Sequence, residues 1–360
     1  MTRMRRAGPR GARAITIAPM NTSNSASPSS QALPRIAVLA TGGTIAGAAP
    51  DAASTAGYQA GALGVNFLLD AVPALASVAR VDAEQVASID SKDLALPLWN
   101  TLAARIAALM ADDAIDGIVI THGTDTLEET AYFLDLTVKS EKPVILIGAQ
   151  RNASEKDFDG PRNLLNAARI CVDQEARGKG AMIALNNQIN AAREVTKTHT
   201  SDVETFKSGD YGVLGNADND RVIFYRTPLR RQHVALKGDT LPAVEIVSMY
   251  GGADGKLLRA AVAAGAKGIV VQALGWGNVN IALHDAIKET IAKGVPVVIS
   301  TRVPNGRVLP NYGFVGGGKT LKDAGAVFAD NLPPQKARLL LMLGLQNSSK
   351  AEDLQRLFDK

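Results

Sequence analysis

The chain has 360 residues, 46% of them hydrophobic and 21% charged, a balance that excludes a disordered or fibrous protein and, at roughly 150 residues per domain, points to two domains. A single cysteine, Cys171, excludes an internal disulfide framework, and the scattered His122, His199, His233 and His284 show no zinc-ligand spacing. The formal charge of +4 belongs to Arg3, Arg5, Arg6, Arg10 and Arg13: without them 34 basic residues face 35 acidic ones, so the body of the protein presents no basic face for nucleic acid.

Residues 1–33 come first, as a basic and then Ser/Asn/Pro-rich tail. The apolar stretch 14–18 is stopped by Pro19, short of the roughly 7–15 residues of a signal-peptide core, and no apolar run follows Arg5-Arg6. A translation start at Met20 would add no signal either. The tail reads as disordered and the protein as cytoplasmic. No apolar run approaches the ~18 residues of a membrane span, so no membrane partner is expected.

From Arg35 onward, short Val/Ile/Leu runs alternate with amphipathic segments of helical length. The runs at 36–40, 115–121, 144–147, 181–185, 244–250, 268–273 and 295–300 are continuous, as in strands covered by helices on both faces. Between them Leu98, Leu102, Ile106 and Leu109 mark one helix face. Leu127, Ala131, Leu134 and Val138 mark a second, and Leu164, Ala168 and Cys171 a third. This alternation predicts an α/β protein with mostly parallel sheets. A polar, Pro-containing stretch without periodicity at 226–242 separates a larger N-terminal domain, 34–225, from a smaller α/β domain, 243–360.

Three strand-end loops carry candidate chemistry. The first strand runs into Thr41-Gly42-Gly43-Thr44-Ile45-Ala46-Gly47, where glycines let the chain turn sharply and leave a hydroxyl at the strand's carboxyl edge. Its G-G-x-x-x-G spacing is not the G-x-G-x-x-G of a dinucleotide loop. Thr121-His122-Gly123-Thr124-Asp125-Thr126 follows the second parallel run and opens a helix; its hydroxyls and carboxylate could serve as caps, or converge with the first loop on one cleft. In Val195-Thr196-Lys197-Thr198-His199-Thr200 the lysine is either an ordinary solvated side chain or, if withdrawn from water to meet Thr124 and Asp125, a base.

These motifs together resemble the L-asparaginase and glutaminase-asparaginase family. The resemblance rests on ATGGTIAG at 40–47, ITHGTDTLEETAYFL at 120–134 and REVTKTHTSDVETFKS at 193–208. PVILIGAQR at 143–151, DGPRNLLNA at 159–167, RVPNGR at 302–307 and PPQKARLLLML at 333–343 extend it in unbroken order from about residue 35 to 346. The resemblance implies a larger parallel-sheet domain followed by a smaller Rossmann-like one. It implies hydrolysis of L-asparagine to L-aspartate and ammonia through a threonine acyl-enzyme, with minor glutaminase activity and no metal or organic cofactor. Thr44 matches the nucleophile, and Tyr58, on the Gly/Ala-rich loop 47–64, the lid tyrosine that activates or orients it. Ser91 matches the serine that holds the substrate α-carboxylate. Thr124, Asp125 and Lys197 match a second triad, in which Asp125 also receives the α-amino group. Asn280, in GWGNVN, matches an asparagine contributed to the cleft of a neighbouring subunit, and the implied assembly is a homotetramer built from intimate dimers.

Two other readings compete. Gly313 to Thr320 fits the phosphate-loop pattern G-x-x-x-x-G-K-T, although NGRVLPNY before it is turn-like and Gly325 follows closely. An amidase subunit of a tRNA-dependent amidotransferase would share the catalytic core. Two departures from the family pattern bear on recognition: Lys92 follows Ser91, and only Val308, Leu309, Pro310 and Asn311 lie between Arg307 and Tyr312, where many relatives carry a longer acidic loop. Both concern the substrate's ammonium end, so a comparatively high KM is expected.

Overall fold

The apolar runs become strands, and the computed structural model describes them within residues 32–49, 57 and 59–360; the tail reading for 1–31 and the assignment of Tyr58 lie outside the described residues. The chain begins with β1 (Arg35–Gly42), α1 (Val65–Asp70), β2 (Arg80–Ile89), α2 (Leu96–Met110) and β3 (Gly117–Thr121). It continues with α3 (Leu127–Thr137), β4 (Val144–Ile147), α4 (Gly160–Val172), β5 (Ala181–Leu185) and β6 (Gln188–Ala191). A short pair, β7 (Thr196–Lys197) and β8 (Phe206–Lys207), precedes β9 (Gly215–Ala217) and β10 (Val222–Phe224). Residues 225–243 hold neither helix nor strand.

A second series then follows: β11 (Val244–Ser248), α5 (Lys256–Ala263), β12 (Gly268–Ala273), α6 (Ile281–Ala292), β13 (Val297–Thr301), α7 (Gly318–Asp323) and β14 (Val327–Phe328). The chain closes with α8 (Pro334–Leu345) and α9 (Ala351–Phe358). Proline occupies the first turn of α2, α4 and α8, where its missing N–H has no intrahelical partner to lose.

The large sheet runs β10-β9-β6-β5-β4-β3-β1-β2, parallel from β2 to β5 and antiparallel beyond it. The second runs β11-β12-β13-β14 in simple order and is wholly parallel. One face of the large sheet packs on α4 and α1, with Leu164, Ala168, Ile170 and Cys171 against Val38, Val119 and Ile145. The other face packs on α2 and α3, where Trp99 stacks on Phe133 with ring centroids 5.0 Å apart. Beneath α3 lies α8, whose opposite side covers β11, β12 and β13. One apolar cluster therefore runs from Leu39 and Ile120 through Tyr132, Leu340 and Leu343 to Val270 and Val298. The outer face of the second sheet is closed by Leu258, Leu283, Ile287 and Leu321 of α5, α6 and α7.

Several strands depart from the sequence reading. β2 was not expected: RVDAEQVASI is an edge strand that alternates exposed and half-buried positions, and its charges keep it from reading as an apolar run. The antiparallel extension through β6, β9 and β10 was also missed. It starts at Asn186-Asn187, both at positive φ (47° and 63°), between the paired Leu185 and Gln188, which is the two-residue hairpin turn that an Asn pair favours. The two-residue strands β7, β8 and β14 match no expected run either, and the other strands begin and end within two residues of the expected ones.

Candidate active site

Strand order decides where a ligand can sit. From β1 the chain passes to β2 on one side, then returns to β3 on the other, so the winding reverses between β1 and β3. Loops leaving the two carboxyl ends at such a switch point diverge and leave a crevice. The second sheet, in simple order, has no such reversal. Ala40 pairs with Thr121, which brings the two hydroxyl-bearing loops level with each other.

Glycine makes their contact possible. Gly43 has φ +81°, and a Cβ there would fall 2.3 Å from the Gly123 backbone nitrogen. Gly123 itself lies beneath Ser91, whose Oγ would be 2.6 Å from a Cβ added at 123. Three loops thus meet over two glycines: Gly43 N–H donates to the Ile89 carbonyl at 2.9 Å, and Thr126 Oγ1 donates to the Ser91 carbonyl at 2.8 Å. Thr44 opens a short 3-10 turn, Thr44–Ala46, immediately after Gly43 and is half-buried. Ser91 is 2% exposed, and its Oγ has no hydrogen-bond partner among the described residues.

Thr124 and Lys197 complete the pattern. The Lys197 Nζ donates to Thr124 Oγ1 at 2.9 Å and to Asp125 Oδ1 at 2.7 Å. The lysine side chain is 18% exposed while Asp125 remains 62% exposed, so the pair spans from wall to opening. β7 supplies the lysine by pairing antiparallel with β8, Lys197 opposite Phe206. Its backbone N–H donates to Glu128 Oε2 at 2.6 Å, a contact that the sequence reading did not foresee because an acid in the first turn of a helix reads as a partner for the helix dipole.

His122, in the second loop, is fully buried. The Gly123 carbonyl can only accept, so Nδ1–H donates to it at 2.7 Å, and the neutral ring's Nε2 accepts from Thr130 Oγ1 at 3.0 Å, a hydroxyl that itself accepts from the Trp99 indole at 2.9 Å. Burial pushes the imidazole down to about 4, with the Gly123 carbonyl opposing weakly. At neutral pH it is an uncharged buttress under the Gly123 turn.

Asn280 stands apart from this group. It caps α6, its Oδ1 accepting from Leu283 N–H at 2.9 Å and its Nδ2 donating to the Ala253 carbonyl at 2.6 Å. Lys92 is exposed and paired with Asp93 at 2.5 Å and Asp90 at 3.9 Å, and the Asp93 bond raises its already high proton affinity. The phosphate-loop reading of 313–320 fails on geometry. No strand lies immediately before it, since 302–312 hold none, α7 has only six residues, and Lys319 is paired with Asp323 at 2.7 Å. Among the described residues no group of three His, Cys, Asp or Glu side chains is placed to hold a metal ion.

Comparison with known proteins agrees with this architecture. The family model described as Asparaginase, N-terminal matches residues 35–230, and Glutaminase/Asparaginase C-terminal domain matches residues 243–358. The chain is 42% identical to L-asparaginase 2 of Bacillus subtilis, over 91% of this chain and 87% of that one. It is also 42% identical to a Haemophilus influenzae protein named Probable L-asparaginase periplasmic, over 91% and 93% of the two chains. A solved structure of a probable cytoplasmic L-asparaginase from Campylobacter jejuni matches with a TM-score of 0.85 at 42% identity, covering 91% of this chain and 99% of that one. The chain belongs to the asparaginase and glutaminase-asparaginase family.

Proposed function

We propose that the protein is an L-asparaginase that converts L-asparagine and water to L-aspartate and ammonia, with minor glutaminase activity. The observation that carries this reading is the Lys197 amine bonded to both Thr124 and Asp125 beside the Thr44 loop, at the one switch point of the large sheet. In our reading the Thr44 hydroxyl oxygen attacks the side-chain amide carbon. The amide nitrogen leaves as ammonia with the hydroxyl proton, and a water molecule then cleaves the ester to release aspartate. A hydroxyl needs a neighbouring group to take its proton; Tyr58 is assigned to Thr44 by the family motif. Splitting hydrolysis in two lets each step run over a lower barrier. Backbone N–H groups of the converging glycine turns can steady the developing oxyanion, each worth about 3–4 kcal/mol. The Ser91 hydroxyl, without a hydrogen-bond partner among the described residues, and the exposed Asp125 carboxylate suit the carboxylate and ammonium ends that an α-amino acid presents.

The test is ammonia release from asparagine by the wild type and Thr44→Ala. The variant is expected to lose activity by orders of magnitude while it still binds aspartate, and near wild-type turnover would overturn the nucleophile. The direct Lys197–Thr124 contact favours a second reading, in which Thr124 carries the acyl group. Peptide mass mapping of the trapped acyl-enzyme separates the two. Release of ammonia without any tRNA would set the amidotransferase alternative aside.

We read residues 34–225 and 243–360 as two domains joined by 226–242, and the active form as a homotetramer. In support of assembly, Trp276, Tyr312 and Phe314 form an exposed aromatic cluster, with exposed Ile281 next to Asn280. Asn280 has a second amide N–H beyond its bond to Ala253, available to a neighbouring cleft. A cytoplasmic location is our reading, supported by the Campylobacter likeness; among the described residues no helix is long and apolar enough to cross a membrane.

A further inference from the structure

Between β6 and β7 the chain makes a turn whose carbonyls point at one spot. The oxygens of Ala192, Arg193 and Val195 all accept hydrogen bonds from a single atom, Lys336 Nζ, at 2.8 Å and 3.2 Å for the first two. Carbonyl dipoles converging in this way repel one another unless a cation sits among them. The ammonium supplies it, with three N–H donors for three acceptors. Lys336 is fully buried, and the Tyr132 ring stands 5.9 Å from Nζ. Lysine is almost never buried completely unless paired, and here its partners are backbone oxygens rather than one carboxylate. Val195 lies two residues before Lys197.

The preceding residue of the same helix reaches the same segment indirectly, through Glu128 of α3. Gln335 Nε2 donates to Glu128 Oε1, while Glu128 Oε2 accepts the Lys197 backbone N–H. Glu128 sits in the first turn of α3, three residues beyond Asp125, so one carboxylate ties the lysine's strand to the helix that follows Thr124 and Asp125. Gln335 and Lys336 open α8, which is anchored in the apolar cluster shared by both sheets. Burial pushes the Lys336 ammonium down to about 8, with Glu128 opposing the shift, so it is still protonated at neutral pH.

We infer that Gln335 and Lys336 are positioning residues: the first turn of α8 holds the 192–197 segment directly through Lys336 and by way of Glu128 through Gln335, and thereby keeps the Lys197 amine on Thr124 and Asp125. This rests on the proposed role of Lys197 in asparagine hydrolysis. Misplacement of a catalytic group by about 1 Å can cost on the order of a hundredfold in rate. Lys336→Met is therefore expected to lower kcat by about a hundredfold with KM for asparagine within about threefold, and Gln335→Leu by about tenfold.

A double-mutant cycle with Lys197→Met separates positioning from mere folding support. With the amine absent there is nothing left to position, so adding Lys336→Met or Gln335→Leu should change the residual rate by less than about threefold. Should Lys336→Met fail to fold, Gln335→Leu, at a half-buried site, carries the cycle alone. If Lys197→Met is nearly inactive and the α8 losses multiply with it, or if Gln335→Leu and a folded Lys336→Met keep wild-type kcat, the positioning role is wrong while the reading of Lys197 stands. If Lys197→Met itself keeps wild-type turnover, the catalytic reading of that lysine fails, and the positioning role falls with it.

Discussion

His122 and Lys92 carry opposite lessons about single residues. The imidazole is held neutral by burial, so its protonation favours the unfolded chain. Folded, it binds a proton only near pH 4; unfolded, near 6.5. As pH falls through this window the unfolded state takes the proton first, so the contribution present above pH 6.5 is progressively lost, to a total of about 3 kcal/mol at pH 4. Urea midpoints measured from pH 7 to 4 should fall in the wild type and fall less steeply in His122→Gln; equal slopes would assign the loss to other groups. Lys92 is exposed and engaged with its acidic neighbours. Lys92→Gln should accordingly leave KM for asparagine within about twofold, and asparagine should exceed glutamine in kcat/KM because one methylene is worth about 1–3 kcal/mol in a fitted pocket. A large fall in KM for the variant would show that the charge reaches the substrate.

At the scale of elements, the site depends on loops that meet through glycine. Gly43→Ala would force a side chain into a left-handed backbone and onto the Gly123 nitrogen, so the two strand ends would have to part. A loss of more than about 2 kcal/mol is expected, with kcat falling more than KM rises. Thermal melts and kinetics of that one variant check both, and an intact Tm with intact turnover would mean that the loops need not touch. The elements that build this arrangement were legible where hydrophobicity is continuous, as in β3, β4 and β5. β2 escaped notice because RVDAEQVASI alternates charges along an edge, although it supplies Ile89 and the approach to Ser91. Thr44, Thr124, Asp125 and Lys197 were legible through their resemblance to family motifs, whereas the loops by themselves leave capping and a solvated lysine open. Glu128 and Lys336 were not, because an acid at a helix start and a basic residue in a helix are ordinary in sequence; only their buried partners distinguish them. Asn280 was legible as a residue, but its capping of α6 shows how one side chain can satisfy a local need and leave a donor to spare.

For the whole molecule, the exposed Trp276–Tyr312–Phe314 cluster predicts that activity depends on assembly. If each cleft needs Asn280 of a neighbour, specific activity should fall on dilution below the dimer dissociation constant, and light scattering should report a tetramer or at least a dimer. A fully active monomer would contradict the shared cleft. The placement of α8 has a separate consequence. The helix serves as a wall for the second sheet and as a floor for α3, so its apolar residues belong to both cores at once. Pulling the two sheets apart would wet Tyr132, Leu340 and Val270 together, and neither half could keep its half of the interior dry. A sequence that divides into two at its linker is therefore expected to unfold as one cooperative body, its halves sharing a single melting transition.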